Sequence, residues 1–351
     1  MMQGALENRH LADKTGKTSH MVFIPRFDLC EVIPGGSPVP HPAFVLGDRI
    51  LPGIYISKYQ NVMEEGLAYS RQGQDPATSV SFDQAAEACA AKGDGWHLMS
   101  ALEWGALALW CLKHDQLPFG NNHDGKDYRE DAQTATVAFA DPTAGIIRIA
   151  TGTGPITWSH NRREDGIYDL NGNIWEWQGG IRLVRGELQL LPPALTNDSS
   201  ADSLSWRAIN AHTGELLFPD GTGTTSHSIK LDYQNGVWCY TEAINDAFSH
   251  ARYCDFLAVT APGLSPAAKE LLCALGCLWE HPCQALEGVS LYANNGAAER
   301  MVFRGGRWGQ QQNAGVFKNC FDDPRSYAGP AVGFRAAYHP PLDATPSKEV
   351  L

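Results

Sequence analysis

Apolar positions along the chain switch between two periods, and each switch marks an element. Met21 to Pro25, Ala43 to Leu46 and Ile54 to Tyr59 are short apolar runs bounded by turn residues such as Pro34-Gly35-Gly36-Ser37-Pro38, and they predict strands. Helical spacing follows. Ser81 with Gln84 three residues on is a capping-box pattern, Phe82, Ala85, Ala86 and Cys89 fall on one face, and Gly93 is the stop. Ser100 and Glu103 repeat the device ahead of Trp104, Leu107, Ala108 and Cys111. A third helix is predicted from Ser265-Pro266 to about Trp279. From about Phe119 to Thr225 the chain is rich in Gly, Asn, Asp and Thr, which predicts loops and short β runs with little regular structure. The last strands are expected at Arg300 to Phe303 and Val332 to Tyr338. No internal repeat is visible. The resulting organisation is a loose polar arm over 1–20, one composite α+β domain over 21–340, and a polar tail over 341–351.

Composition narrows the function. Hydrophobic residues make up 43% of the 351 positions and charged residues 19%, a globular balance rather than a disordered one. The net charge of -12, without any Lys/Arg cluster, argues against nucleic acid or an anionic membrane as the partner. No run approaches the roughly 20 apolar residues of a membrane span, and the first residues lack the apolar core of a signal peptide. Synthesis in the cytoplasm is therefore expected. Nine cysteines, an odd number set in apolar sequence (Cys89, Cys111, Cys254 and Cys273 among them), fit reduced buried thiols better than a disulfide framework. Cys273, Cys277 and His281 recur at a spacing of four, close to Cys283, and read either as a soft-metal stripe or as the core side of a helix with Leu272, Leu275 and Leu278. The core reading is preferred, because Pro282 ends any helix near His281. His97, His114 and His123 lack the carboxylate or Cys spacing of a zinc site and are assigned no role.

Four tracts occur in a fixed order: Trp96 to Trp104 (WHLMSALEW), Asp165 to Trp177 (DGIYDLNGNIWEW), Phe303 to Trp308 (FRGGRW) and Val332 to Ala336 (VGFRA). Together they resemble the formylglycine-generating-enzyme branch of the C-type lectin fold, over roughly Ala43 to Tyr338, with an inserted middle at about 180–298. Within that branch the segment of about 303–338 resembles the variable region of diversity-generating-retroelement target proteins. Members of that family are ligand-binding proteins, often at phage tail tips, in which error-prone reverse transcription at adenines rewrites selected codons, typically AAC. Gly309, Gln310, Gln311, Asn319, Cys320, Asp322, Asp323, Tyr327, Gly329, Pro330 and Ala331 are the exchangeable, ligand-binding positions that the resemblance implies. Trp308, Ala314, Val316, Phe317, Val332 and Phe334 are expected to anchor the core between them, because a scaffold tolerates exchange only where side chains face solvent. The partner expected is a protein or glycan receptor, met by an oligomer or a particle-attached array such as a virion.

An enzyme is the rival reading. The best-known members of the branch oxidise a substrate cysteine with copper held by two cysteines, and the matching positions here are about Gln310 and Gly315, neither able to act as a soft-metal ligand. Cys320 stands alone, and the chain has no His-x3-Glu-x-His tract for an iron domain. No catalytic cofactor is expected. In formylglycine-generating enzymes the turn matching Asp169 to Glu176 resembles a structural calcium site, which implies Asp169 and Glu176 carboxylates with carbonyls of Gly172 and Ile174 as ligands. The alternative is that Asn171 and Asn173 shape the turn while Glu176 pairs with a basic residue such as Arg335.

Overall fold

In the computed structural model, which describes residues 6–340, both predicted capping boxes close. Ser81 Oγ accepts from the Gln84 N–H at 3.3 Å while Gln84 Oε1 accepts from the Ser81 N–H at 3.0 Å, opening the helix Phe82–Ala90. Ser100 and Glu103 do the same for the helix Ala101–Lys113. Each such cap is worth on the order of 1 kcal/mol. The third helix also opens on its Ser265 cap, but it spans only Pro266–Ala274. Gly276 adopts φ 64°, a left-handed stop, and the N–H groups of Gly276 and Cys277 bond back to Cys273 and Leu272. Cys273 and Cys277 therefore do not line up on a helix with His281, and both are buried in the main core. Gly105 lets this segment approach the helix Ala101–Lys113, since a Cβ there would stand 2.0 Å from the Ala274 carbonyl oxygen.

The architecture is mixed and mostly sheet. A five-stranded antiparallel sheet runs in the order Asn8–Ala12, Thr18–Pro25, Gly53–Ser57, Ala336–Tyr338, Trp96–Leu98. Its first two strands correct the expectation of a loose arm over 1–20. The described part of that arm is a hairpin, whose turn is tied down by Asp13 accepting from Thr15 Oγ1 at 2.6 Å and Tyr69 Oη at 2.8 Å. Asn8–Ala12 is an edge strand with mainly exposed side chains, so it carries no apolar alternation to read. Residues 341–351, expected as a tail, lie outside the described residues.

The second large sheet has eleven strands, with Trp175–Val184 and Arg300–Gly305 at its centre. The tract 180–298 does not stand apart: Glu187–Leu190 and Arg207–Ile209 extend this sheet on one flank, and Ser290–Ala293 and Arg252–Asp255 on the other. Trp175–Val184 is ten residues long where mostly loop was expected. Nearly all of it is buried on both faces, so it lacks the period-two signature of a half-exposed strand.

One side chain joins the two sheets. Val332–Phe334 pairs in parallel with Trp175–Val184 in the large sheet, while Ala336–Tyr338, one residue further on, belongs to the small one. Arg335 sits at the crossover, fully buried, and donates from Nε and Nη2 to the two Glu176 oxygens at 2.6 and 2.7 Å. Its remaining donors reach the carbonyls of Ser57 and Tyr168 at 3.0 Å each. Arg335→Met, which strands the Glu176 carboxylate in the interior, is expected to lower stability by about 3–5 kcal/mol in urea denaturation. Adding Glu176→Gln to that variant should recover part of the loss; independent, additive losses would show that the two groups are not coupled.

Candidate ligand-binding face

The strands Arg300–Gly305 and Gly315–Phe321 pair antiparallel, placing Phe303 opposite Cys320. Phe303 packs between Trp175 and Trp177, with ring centroids 4.9 and 5.0 Å away. On this frame all six predicted anchors are buried: Trp308, Ala314, Val316, Phe317, Val332 and Phe334. Trp308 is also fixed by its indole N–H, which donates to the Gly145 carbonyl at 2.8 Å.

The predicted exchangeable positions divide. Gly309 and Gln311 are exposed and Gln310 is half-buried, its Oε1 accepting from the Arg307 N–H at 3.1 Å. Asp322, Asp323 and Ala331 are half-buried, Pro330 is exposed, and Tyr327 is 38% exposed with its ring 6.4 Å from that of Phe303. Three expectations are corrected. Asn319 is fully buried, its amide donating to the Gly276 and Phe317 carbonyls at 3.0 and 2.9 Å. Cys320 is buried in the aromatic cluster beneath the face, and burial pushes its thiol well above the ordinary range, which suits neither a nucleophile nor a thiolate ligand. Gly329 is buried as well, and a Cβ there would lie 2.3 Å from Tyr327 Oη. In the other direction, the structure exposes Gln312, Asn313, Pro324, Ser326 and Ala328, which the sequence reading did not single out. Pro324 and Ser326 are turn-forming types that carry this signal.

The segments 306–314 and 322–331 share one electrostatic neighbourhood. Burial and the Asp323 carboxylate raise the Tyr327 hydroxyl pKa while Arg307, from the other segment, opposes them. Burial, reinforced by the charge of Asp322, pushes the Asp323 carboxyl up to about 6. Alongside, Tyr253, 61% exposed, stacks on Tyr292 at 5.2 Å, and Tyr292 neighbours Cys320 across the strand pair. These tyrosines come from the 180–298 tract and were not predicted for the face; only strand pairing brings them there. Beneath them Lys318 is fully buried, bonded to Ser290 Oγ and 4.4 Å from the Tyr292 ring centroid. Burial pulls its ammonium down to about 8.

The turn nominated for calcium is built differently from a cation cage. Gln60 Nε2 lies 3.0–3.1 Å from the carbonyl oxygens of Asp169 and Ile174 and from Glu176 Oε1, so an amide donor stands where a cation would collect those oxygens. Arg335 takes both Glu176 oxygens, and Asp169 Oδ2 accepts from the Gly152 N–H at 2.8 Å. The donor set Asp169, Gly172, Ile174 and Glu176 thus does not fit a calcium ion, which needs six to eight free oxygens. Burial raises the Asp169 carboxyl to about 6, and its Oδ1 lacks a partner.

Residues 52–184 match the sulfatase-modifying factor enzyme 1-like domain (FGE-sulfatase), a stretch of less than half the chain that ends before the face. Among solved structures, PvdO from Pseudomonas aeruginosa aligns at 14% identity and a TM-score of 0.35, over 92% of this chain and 94% of that one. The Major Tropism Determinant P3c variant aligns at 12% identity and a TM-score of 0.32, over 96% of this chain and 64% of that one. Its U1 variant aligns at 10% identity and a TM-score of 0.30, over 96% and 73%. No curated protein matches the sequence.

Two expectations follow from the geometry. Asn319→Ala, which leaves two buried carbonyls without their donor, should cost about 2–3 kcal/mol, whereas Tyr327→Ser should stay within about 1 kcal/mol of the native chain in urea denaturation. The second concerns pH. The folded Lys318 pKa of about 8 lies below the ordinary value of 10.5, so the folded state binds fewer protons between those limits and gains stability as pH rises through them. Lys318→Met is expected to exceed the native chain in stability by about 1–3 kcal/mol at pH 7, and this lead should shrink as pH rises from 8 towards 10. A gap independent of pH would mean that the ammonium is not under strain.

Proposed function

We propose that the protein is a ligand-binding protein of C-type lectin fold whose C-terminal face is rewritten by a diversity-generating retroelement, serving as a receptor-binding protein on a phage particle, and that it grips a partner without catalysing a reaction. The observation that carries this reading is the interleaving of a buried frame, from Trp308 through Val316 and Phe317 to Val332 and Phe334, with exposed positions in both flanking segments. Exchange at 311–313 and at Tyr327 alters what the surface offers while leaving the buried frame in place, whereas Gly309, at φ 77°, accepts a side chain only with backbone strain. The chemistry on offer is mixed: a tyrosine resting on an aromatic base, a pair of carboxylates, an arginine and several amides. Such a set supplies contact area and adaptable hydrogen bonding to a protein or glycan receptor. Display of several copies on a particle would raise a modest single-site affinity through avidity.

The match over 52–184 favours a second reading, an oxidase of the formylglycine-generating type. Against it, the positions that the resemblance matches to such an enzyme's thiols are about Gln310 and Gly315, and the nearby Cys320 is buried with a raised pKa. Stoichiometric copper binding with oxidation of a peptide cysteine would favour the enzyme.

Sequencing the gene and its flanking DNA from many sibling clones tests the proposal. The expected result is substitution at adenine-bearing codons within 309–313 and 322–331, constancy across 316–321, and a near-copy of the region close by. A uniform gene without such a repeat overturns the diversification and leaves an invariant protein of the same fold.

A further inference from the structure

We propose that His97, Glu103 and His339 form a binding site for one divalent transition-metal ion, of the zinc or ferrous class, with a coordination position open to an adjoining cavity. The three residues are far apart in sequence and are joined by the small sheet: His97 lies on Trp96–Leu98, His339 follows the paired strand Ala336–Tyr338, and Glu103 rises from the first turn of Ala101–Lys113. His97 Nε2 and His339 Nε2 stand 3.0 and 3.1 Å from the same oxygen, Glu103 Oε1. All the donor atoms lie within 4.8 Å of one another, and all three residues are buried.

The hydrogen bonds around the cluster orient it for an ion. His97 Nδ1 is 2.9 Å from the Gly95 carbonyl oxygen, which can only accept, so Nδ1 carries a proton and Nε2 faces the Glu103 carboxylate, where either a second ring proton or a metal ion joins the two. A backbone carbonyl behind the ring is the arrangement by which metal-ligating histidines are held. Glu103 is held likewise: Oε2 accepts from Ser100 N–H at 2.7 Å and Ser100 Oγ at 2.9 Å, which leaves Oε1 as the ligand oxygen. Two imidazole nitrogens with one carboxylate select zinc or iron(II) over calcium or magnesium, and three protein ligands leave a position for water or a ligand group.

That position has somewhere to open. A cavity of about 490 Å³ is lined by His97 and His339 together with Arg49, Asp94 and Asn197. Arg49 Nη1 is buried and has no hydrogen-bond partner, so an acidic group entering the cavity would find both the ion and a guanidinium. The second cluster of this composition, His212, His227 and Glu242, is more exposed and serves as the internal control.

The chelator-treated full chain is titrated with ZnCl2 by calorimetry and with CoCl2 by absorption spectroscopy. One ion per chain and a ligand-field spectrum of low coordination number are expected. His97→Gln and His339→Gln should each weaken binding at least about tenfold, and the His212→Gln, His227→Gln double variant should leave it unchanged. Absence of stoichiometric uptake by the native chain overturns the proposal, as does binding lost in the surface double variant alone. Should a site variant fail to fold, anomalous scattering from zinc-soaked native crystals decides: density among His97, Glu103 and His339 supports the site, and density elsewhere overturns it.

Discussion

The guanidinium of Arg335 is the constraint on which the rest of the molecule rests. It lies between two short strands that belong to different sheets, and its four bonds reach three residues, Ser57, Tyr168 and Glu176, the last twice. A buried ion pair of this kind adds little net stability compared with apolar packing, but it is intolerant of displacement, because an unpaired charge in the interior costs several kcal/mol. Its contribution is register. With Gln60 it fixes the turn before Trp175 and the point at which the last strands cross between the sheets, which pins the end of the 303–338 segment.

The face follows from that pinning. Seven residues of Gly315–Phe321 pass through the sheet almost wholly buried, while the segments on either side emerge into solvent. Side chains in the first class carry packing and hydrogen bonds, as Asn319 does; in the second, Trp308 and Arg325 are held in the same way, Arg325 by Glu299 and Asp83, while exposed residues such as Gln311, Asn313 and Ser326 are not. An exposed substitution typically moves stability by less than about 0.5 kcal/mol, and a buried one by several times that. The same strand therefore sets where the surface can change and where it cannot.

Much of this was legible in the sequence, and what escaped has physical causes. Ser81 with Gln84 and Ser100 with Glu103 announced two helices because capping is local. The interleaved anchors from Trp308 to Phe334 were legible because large apolar residues amid polar ones are seldom left in water. Pairing of Glu176 with Arg335 stood as one of two readings of a turn; the structure chose it because Gln60, invisible to any local motif, fills the centre of the other. The hairpin of Asn8–Ala12 was missed since an edge strand needs no apolar face, and the length of Trp175–Val184 because a strand buried on both sides has no alternation. Asn319 and Cys320 were misplaced because their residue types suggested exchange while their burial depends on strands contributed from elsewhere. His97 acquired partners only when a neighbouring strand delivered His339.

Burial of Gly315–Phe321 also sets how much of this region could be replaced at random. A domain of this kind has on the order of 5–15 kcal/mol of stability in hand, so random replacement along that strand would spend it within a few changes, and most members of a random library would not fold. Replacement confined to the exposed positions of the flanking segments changes the surface at a far smaller cost in stability. The boundary between the two regimes falls within single residues, at Ala314 on one side and Asp322 on the other.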